Sequence, residues 1–156
     1  MGTDSQKLEN RARLWGMTVT GMTLGIWGMV EESATALAPK IGSQILEMIE
    51  TVLGKKIDSD KPEEALRQLG RMFVEDIGYA ADFKVAAAEN KIRVSFSKSV
   101  SVPEFALLQQ KGVKKLFSHP FMSTGVAVLA RLGQKARWEV EIDPAGGNET
   151  ITFNLL

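Results

Sequence analysis

A chain of 156 residues with 44% apolar and 24% charged side chains is long enough to bury one core without covalent staples. It has no cysteine, which excludes disulfides, thiol nucleophiles, thiolate zinc sites and iron–sulfur clusters together. A single histidine, His119, excludes a multi-histidine metal centre, and a formal net charge of zero without a basic–aromatic pattern argues against nucleic acid.

Residues 1–13 are polar and mixed in charge, and they read as a helix with a fraying start. They lack the apolar core and cleavage site of a signal peptide, so the expected location is cytoplasmic. The uncharged stretch Leu14–Val30 is interrupted by Gly16, Gly21, Gly25 and Gly28 and by three threonines, and is too polar to span a membrane. Met17-Thr18-Val19-Thr20 has strand character; if the segment is helical instead, Gly21, Gly25 and Gly28 share a face that another backbone could approach.

Helix is clear from Val30 onward. A short helix ends near Leu37, and Pro39 kinks the next helix or opens its first turn. Ile41, Ile45, Ile49 and Val52 recur at helical spacing, and Gly54 stops the run. Asp60 and Glu63 form a capping-box pattern around Pro62, and Ala65, Leu66, Leu69, Met72, Phe73 and Ile77 make an apolar stripe ending at Gly78.

The period then falls from about 3.6 to 2. Ala81, Phe83 and Val85 alternate with polar residues, a turn follows at Glu89-Asn90-Lys91, and Ile92, Val94 and Phe96 return, which is a hairpin with one apolar face. Pro103 and Glu104 open a helix carrying Phe105, Leu107, Leu108, Val113 and Leu116. A second helix follows Ser118-His119-Pro120, striped by Met122, Val126, Leu129 and Leu132 and closed by Gly133, with Ser118 as its expected cap. The chain ends in a hairpin, Ala136–Leu156, whose alternation puts Trp138, Val140, Ile142, Ile151, Phe153 and Leu155 on one buried face. The fold class is therefore α+β: a single domain over 1–156, with an antiparallel sheet from two β-hairpins, helices packed on one side and a helical N-terminal third.

The order of elements over residues 30–156 resembles the vinyl-reductase-type (4-vinyl reductase) small-molecule-binding domains, often described as hydrocarbon-binding. The resemblance is carried by two stretches. One is Ala65–Val102, with Ile77-Gly78-Tyr79 between helix and strand. The other is Phe117–Leu156, where Ser118-His119-Pro120-Phe121-Met122-Ser123-Thr124-Gly125 leads a helix ending at Leu132-Gly133. That family shares its fold with haem nitric-oxide-binding domains and the small subunits of the TRAPP vesicle-transport complex. Its members often carry a cysteine–proline step at this helix and cysteines in the hairpin; here His119 stands at the first and the hairpin has none, so no metal role is expected.

As a haem ligand His119 needs one free ring nitrogen, and the tyrosine–serine–arginine signature for haem propionates is missing, so no cofactor is expected and haem stands last. Ser118 and Ser123 lack a nucleophile elbow and an orienting acid near in sequence, the nearest being Glu104 and Glu139. Glu31-Glu32, Glu63-Glu64 and Glu75-Asp76 are adjacent pairs that diverge by about 100° on a helix, and Gly146-Gly147-Asn148 is turn chemistry.

Basic residues without acids between Phe105 and Trp138, against an acidic excess from Glu47 to Asp82, suit an anionic ligand or a self-complementary homodimer. The first expectation is a sensor, carrier or accessory domain binding a small apolar or anionic molecule between sheet and helices. Phe73, Phe83, Phe96, Phe121, Met122 and Trp138 would line it and His119 would sit at its rim. The alternative is a non-catalytic homodimeric scaffold, and the third reading is a haem-binding gas sensor.

Overall fold

The computed structural model describes residues 2–156. Helix α1 runs unbroken over Asp4–Val30 and a 3-10 segment over Glu31–Leu37, followed by α2 (Ala38–Leu53) and α3 (Pro62–Arg71), which continues as a π-helical turn at Met72–Asp76. Strands β1 (Asp82–Ala88) and β2 (Lys91–Ser97) form the first hairpin. Helices α4 (Val102–Gln110) and α5 (Pro120–Arg131) follow, and β3 (Ala136–Asp143) and β4 (Asn148–Leu155) close the chain. The four strands are antiparallel throughout, in the order β1-β2-β4-β3. The α+β fold with helices on one side of two joined hairpins is as the periodicity predicts.

The strand character of Met17–Thr20 is overridden. Thr3 and Gln6 form a reciprocal capping box that starts α1, and the Thr18 and Thr23 hydroxyls donate to the carbonyls of Leu14 and Val19, each at 2.8 Å. Thr23 is the one residue of α1 that is buried, while Ile26 and Trp27 pack against the core. The glycine face points the other way: a Cβ on Gly21, Gly25 or Gly28 would meet nothing within 4 Å. The close approach expected at these glycines occurs at others. A Cβ on Gly42 of α2 would overlap the Ser123 carbonyl of α5, and one on Gly125 of α5 would overlap the Phe153 ring of β4.

Those two contacts place α5 between α2 and the sheet, and Phe121–Leu129 are all buried. Arg131 of α5 adds a two-pronged ion pair to Glu50 of α2, at 2.8 and 3.1 Å. Two details of the helices differ from the sequence patterns. Val52 is 82% exposed, and the buried face of α2 is Ala38, Gly42 and Leu46. Asp60 and Glu63 do not form a capping box; Lys61 takes the cap position of α3 without a side-chain bond, because Pro62 already removes one orphan donor. Val113 and Leu116 lie beyond the end of α4 yet are buried with Phe105 and Leu108 in a satellite cluster.

The core is built on edge-to-face aromatic contacts: Phe73–Phe121 at 5.1 Å, Phe96–Phe121 at 4.7 Å and Phe73–Tyr79 at 5.2 Å between centroids. In the terminal hairpin Trp138 lies opposite Phe153 and Val140 opposite Ile151, so these four share one face as the alternation predicts. Among the described residues no helix is long and apolar enough to cross a membrane.

Candidate functional site

His119 precedes Pro120, so its backbone is extended (φ −63°, ψ 121°), and this makes it the cap of α5 in place of Ser118. Its Nδ1 accepts the Met122 N–H at 3.2 Å. The ring proton is thereby assigned to Nε2, which faces Glu149 Oε2 at 3.1 Å. Phe105 stacks on the imidazole with centroids 4.6 Å apart. His119 is 0% exposed, so the expectation of a rim position is corrected: the proline geometry turns the ring inward. With both nitrogens engaged inside the core, neither is free for a haem iron.

Glu149 is the centre of this cluster. It shares the parity of Ile151 and Phe153 on β4 and so points into the core, where Tyr79 Oη donates to Oε1 at 2.6 Å and Ser99 Oγ donates to it at 3.0 Å. Ser101 Oγ lies 2.6 Å from Tyr79 Oη and 3.2 Å from Oε2. No lysine or arginine among the described residues pairs with this buried carboxylate; His119, Tyr79, Ser99 and Ser101 hold it. Burial alone would raise its pKa, but the hydrogen bond and the charge contributed by His119, followed by the hydrogen bonds from Tyr79 and Ser99, outweigh burial and hold it below the ordinary 4.5. Tyr79 is pushed well above its ordinary 10.0, first by burial and then by the negative charge of Glu149.

This cluster forms one wall of the main cavity, a cleft of about 620 Å³ between α1 and the body of the domain. Its sides are apolar: Val19 and Ile26 of α1, Ile41 and Ile45 of α2, and Phe105 and Leu108 of α4. Tyr79 and Ser101 reach it from the buried cluster, and Glu104 is the one charged residue in its lining among the described residues. The Glu104 Oε2 is buried and has no hydrogen-bond partner. The cleft opens where Trp15 is exposed, and a volume of this size is typical of small-molecule sites.

The residues expected to line a pocket lie elsewhere. Phe73, Phe96, Phe121 and Met122 are close-packed core, while Phe83 and Trp138 are half-buried at its margins. Of the expected set, only His119 adjoins the cleft, through Tyr79 and Ser101. Glu149 carried a legible signal, since the hairpin alternation that buries Ile151 and Phe153 also buries it. Glu104 carried none, because its setting depends on α1 crossing α4. Among the described residues, no three His, Asp or Glu gather as a metal site.

No family model matches the chain, and no curated protein matches it in sequence. Among solved structures it is similar to a trafficking protein particle complex subunit 3 from Naegleria fowleri, crystallised covalently bound to palmitic acid, with a TM-score of 0.59 and 13% identity. The match covers 95% of this chain and 96% of that chain. The two share a fold, that of the TRAPP small subunits.

Proposed function

We propose that this chain is a non-catalytic module that works by pairing with a second copy of itself through the outward face of α1. The observation that carries this is an apolar, glycine-striped helix face with nothing against it. Met17 and Met29 are 67% and 84% exposed, and Gly21, Gly25 and Gly28 open onto empty space between them. Solvated helices seldom present such a face. Small residues at this spacing let two helices approach closely.

Charge complementarity favours a second copy in antiparallel orientation. Arg11 near one end of α1, and Glu31 and Glu32 just past the other, have no ion-pair partner among the described residues. A crossing at Gly21 puts residue 11 of each copy opposite residue 31 of the other. The shared fold with a subunit of a trafficking complex supports an assembly role.

Sedimentation velocity tests it. The wild type should be a dimer, and Gly25→Leu should be a monomer with unchanged circular dichroism. Arg11→Glu should weaken pairing, and Glu31→Arg with Glu32→Arg should restore it. A wild type that stays monomeric well above micromolar concentration, or a dimer indifferent to Gly25→Leu, overturns the proposal.

A second reading is favoured by the cleft itself. An apolar small molecule held between α1, α2 and α4 fits the volume and lining, and the vinyl-reductase-type resemblance supports it. The palmitate reported on the trafficking subunit is an apolar ligand on the same fold. A thioester link is closed to this chain, which has no cysteine. Native mass spectrometry of the purified protein should show a retained small molecule released on unfolding; its absence, together with no uptake of added alkyl ligands, counts against this reading.

A further inference from the structure

Resting on the cleft-ligand reading just given, we infer that the cleft takes an apolar chain ending in a hydrogen-bond donor, an alcohol or a protonated amine, and discriminates against a free fatty acid. Glu104 lies in the first turn of α4 and lines the cleft beside α1. Its Oε2 is buried and has no hydrogen-bond partner among the described residues. An ionised carboxylate only accepts hydrogen bonds, so the missing partner is a donor. Leaving such an acceptor unmet in an apolar setting is costly, and a ligand that meets it recovers that cost.

Gly16 of α1 faces the acid: a Cβ there would lie 3.4 Å from Glu104 Oε1, in ordinary van der Waals contact. Among the described residues no lysine, arginine or histidine lines the cleft. A ligand carboxylate would therefore face Glu104 without a compensating cation, whereas an ammonium or hydroxyl would donate to it. Ser101 and Tyr79 sit on the same wall, but their hydroxyls are already engaged with each other and with Glu149.

Decylamine, decanol and decanoate share one chain length and differ only in the head group. Calorimetric titration of the full chain below their micellar concentrations should give tighter binding for the amine and alcohol. The amine should exceed decanoate by roughly tenfold or more, the range of a charge-assisted hydrogen bond. Glu104→Gln, which keeps the shape and loses the charge, should weaken the amine and strengthen decanoate, closing that gap. Thr20→Trp on the cleft wall should abolish binding of all three, and binding that survives it places the ligand elsewhere and overturns the inference.

Decanoate binding as tightly as decylamine, or Glu104→Gln shifting all three ligands alike, overturns the head-group inference and leaves the cleft reading standing. Failure of all three to bind a folded protein overturns both.

Discussion

His119 Nε2 and Glu149 Oε2 lie 3.1 Å apart, neither residue with any exposed side-chain surface, joining the cap of α5 to the start of β4. Nδ1 accepts the Met122 N–H, so Nε2 carries a ring proton and donates it to the carboxylate. Hydrogen bonds from His119, Tyr79, Ser99 and Ser101 converge on Glu149. Such an arrangement is strong while every donor is present and fragile to the loss of one.

The acid limb of stability should report Glu149. Its folded pKa lies below the ordinary 4.5, so its contribution is fully present above that value and is lost as pH falls through the folded pKa. Urea unfolding across the acid range should show stability falling on that limb. Glu149→Gln should flatten it and cost about 2 kcal/mol at neutral pH. An unchanged acid limb in Glu149→Gln rejects the assignment.

The alkaline limb should report Tyr79. Its folded pKa is raised, so the neutral phenol stabilises the fold below the ordinary 10.0, and that stability is lost as pH rises above it. Tyr79→Phe should remove this loss and destabilise the neutral protein by about 1–2 kcal/mol through the orphaned Glu149 and Ser101. Ultraviolet titration should find no tyrosinate in the native protein near pH 10.0, because this is the chain's one tyrosine.

The hairpins, their register and the apolar stripes of the later helices were legible, because periods of 2 and 3.6 are local properties of sequence. That Trp138 and Phe153 share a face follows from alternation alone; their pairing is set by the turn. Glu149 obeys the same alternation, although acids more often face water. The unbroken α1 was not legible, since glycines and β-branched residues oppose helix, and the segment has no strand partner to pair with. The close-approach glycines show the same limit. Gly21, Gly25 and Gly28 have the spacing, but Gly42 and Gly125 have the neighbours, and neighbours come from the tertiary fold.

Glycine substitutions should therefore have opposite signs. Gly42→Ala forces a methyl into the Ser123 carbonyl at the α2–α5 crossing and should cost about 3 kcal/mol. Gly25→Ala adds a methyl in open space on a helix and should stabilise the isolated monomer by about 0.5–1 kcal/mol. Urea midpoints at low protein concentration, where pairing does not contribute, distinguish them. Equal effects at the two sites would contradict the placement of α1.

Thr23 decides how firmly α1 closes the cleft. Its hydroxyl proton goes to the Val19 carbonyl at 2.8 Å, so the 2.8 Å contact with Ser118 must have Ser118 as donor and Thr23 as acceptor. It is the one buried residue of α1, which otherwise meets the domain through half-buried Leu24, Ile26 and Trp27. Thr23→Val keeps the branched shape but leaves the Ser118 hydroxyl without this acceptor, at a cost of about 1 kcal/mol. That cost falls on a local opening and not on the core, so hydrogen exchange should quicken in the C-terminal half of α1 while α5 keeps its protection. Affinity for a decyl ligand should fall with it, because α1 supplies one side of the cleft. A uniform rise in exchange across α1 and α5 would mean that α1 unfolds only with the whole domain and cannot open independently.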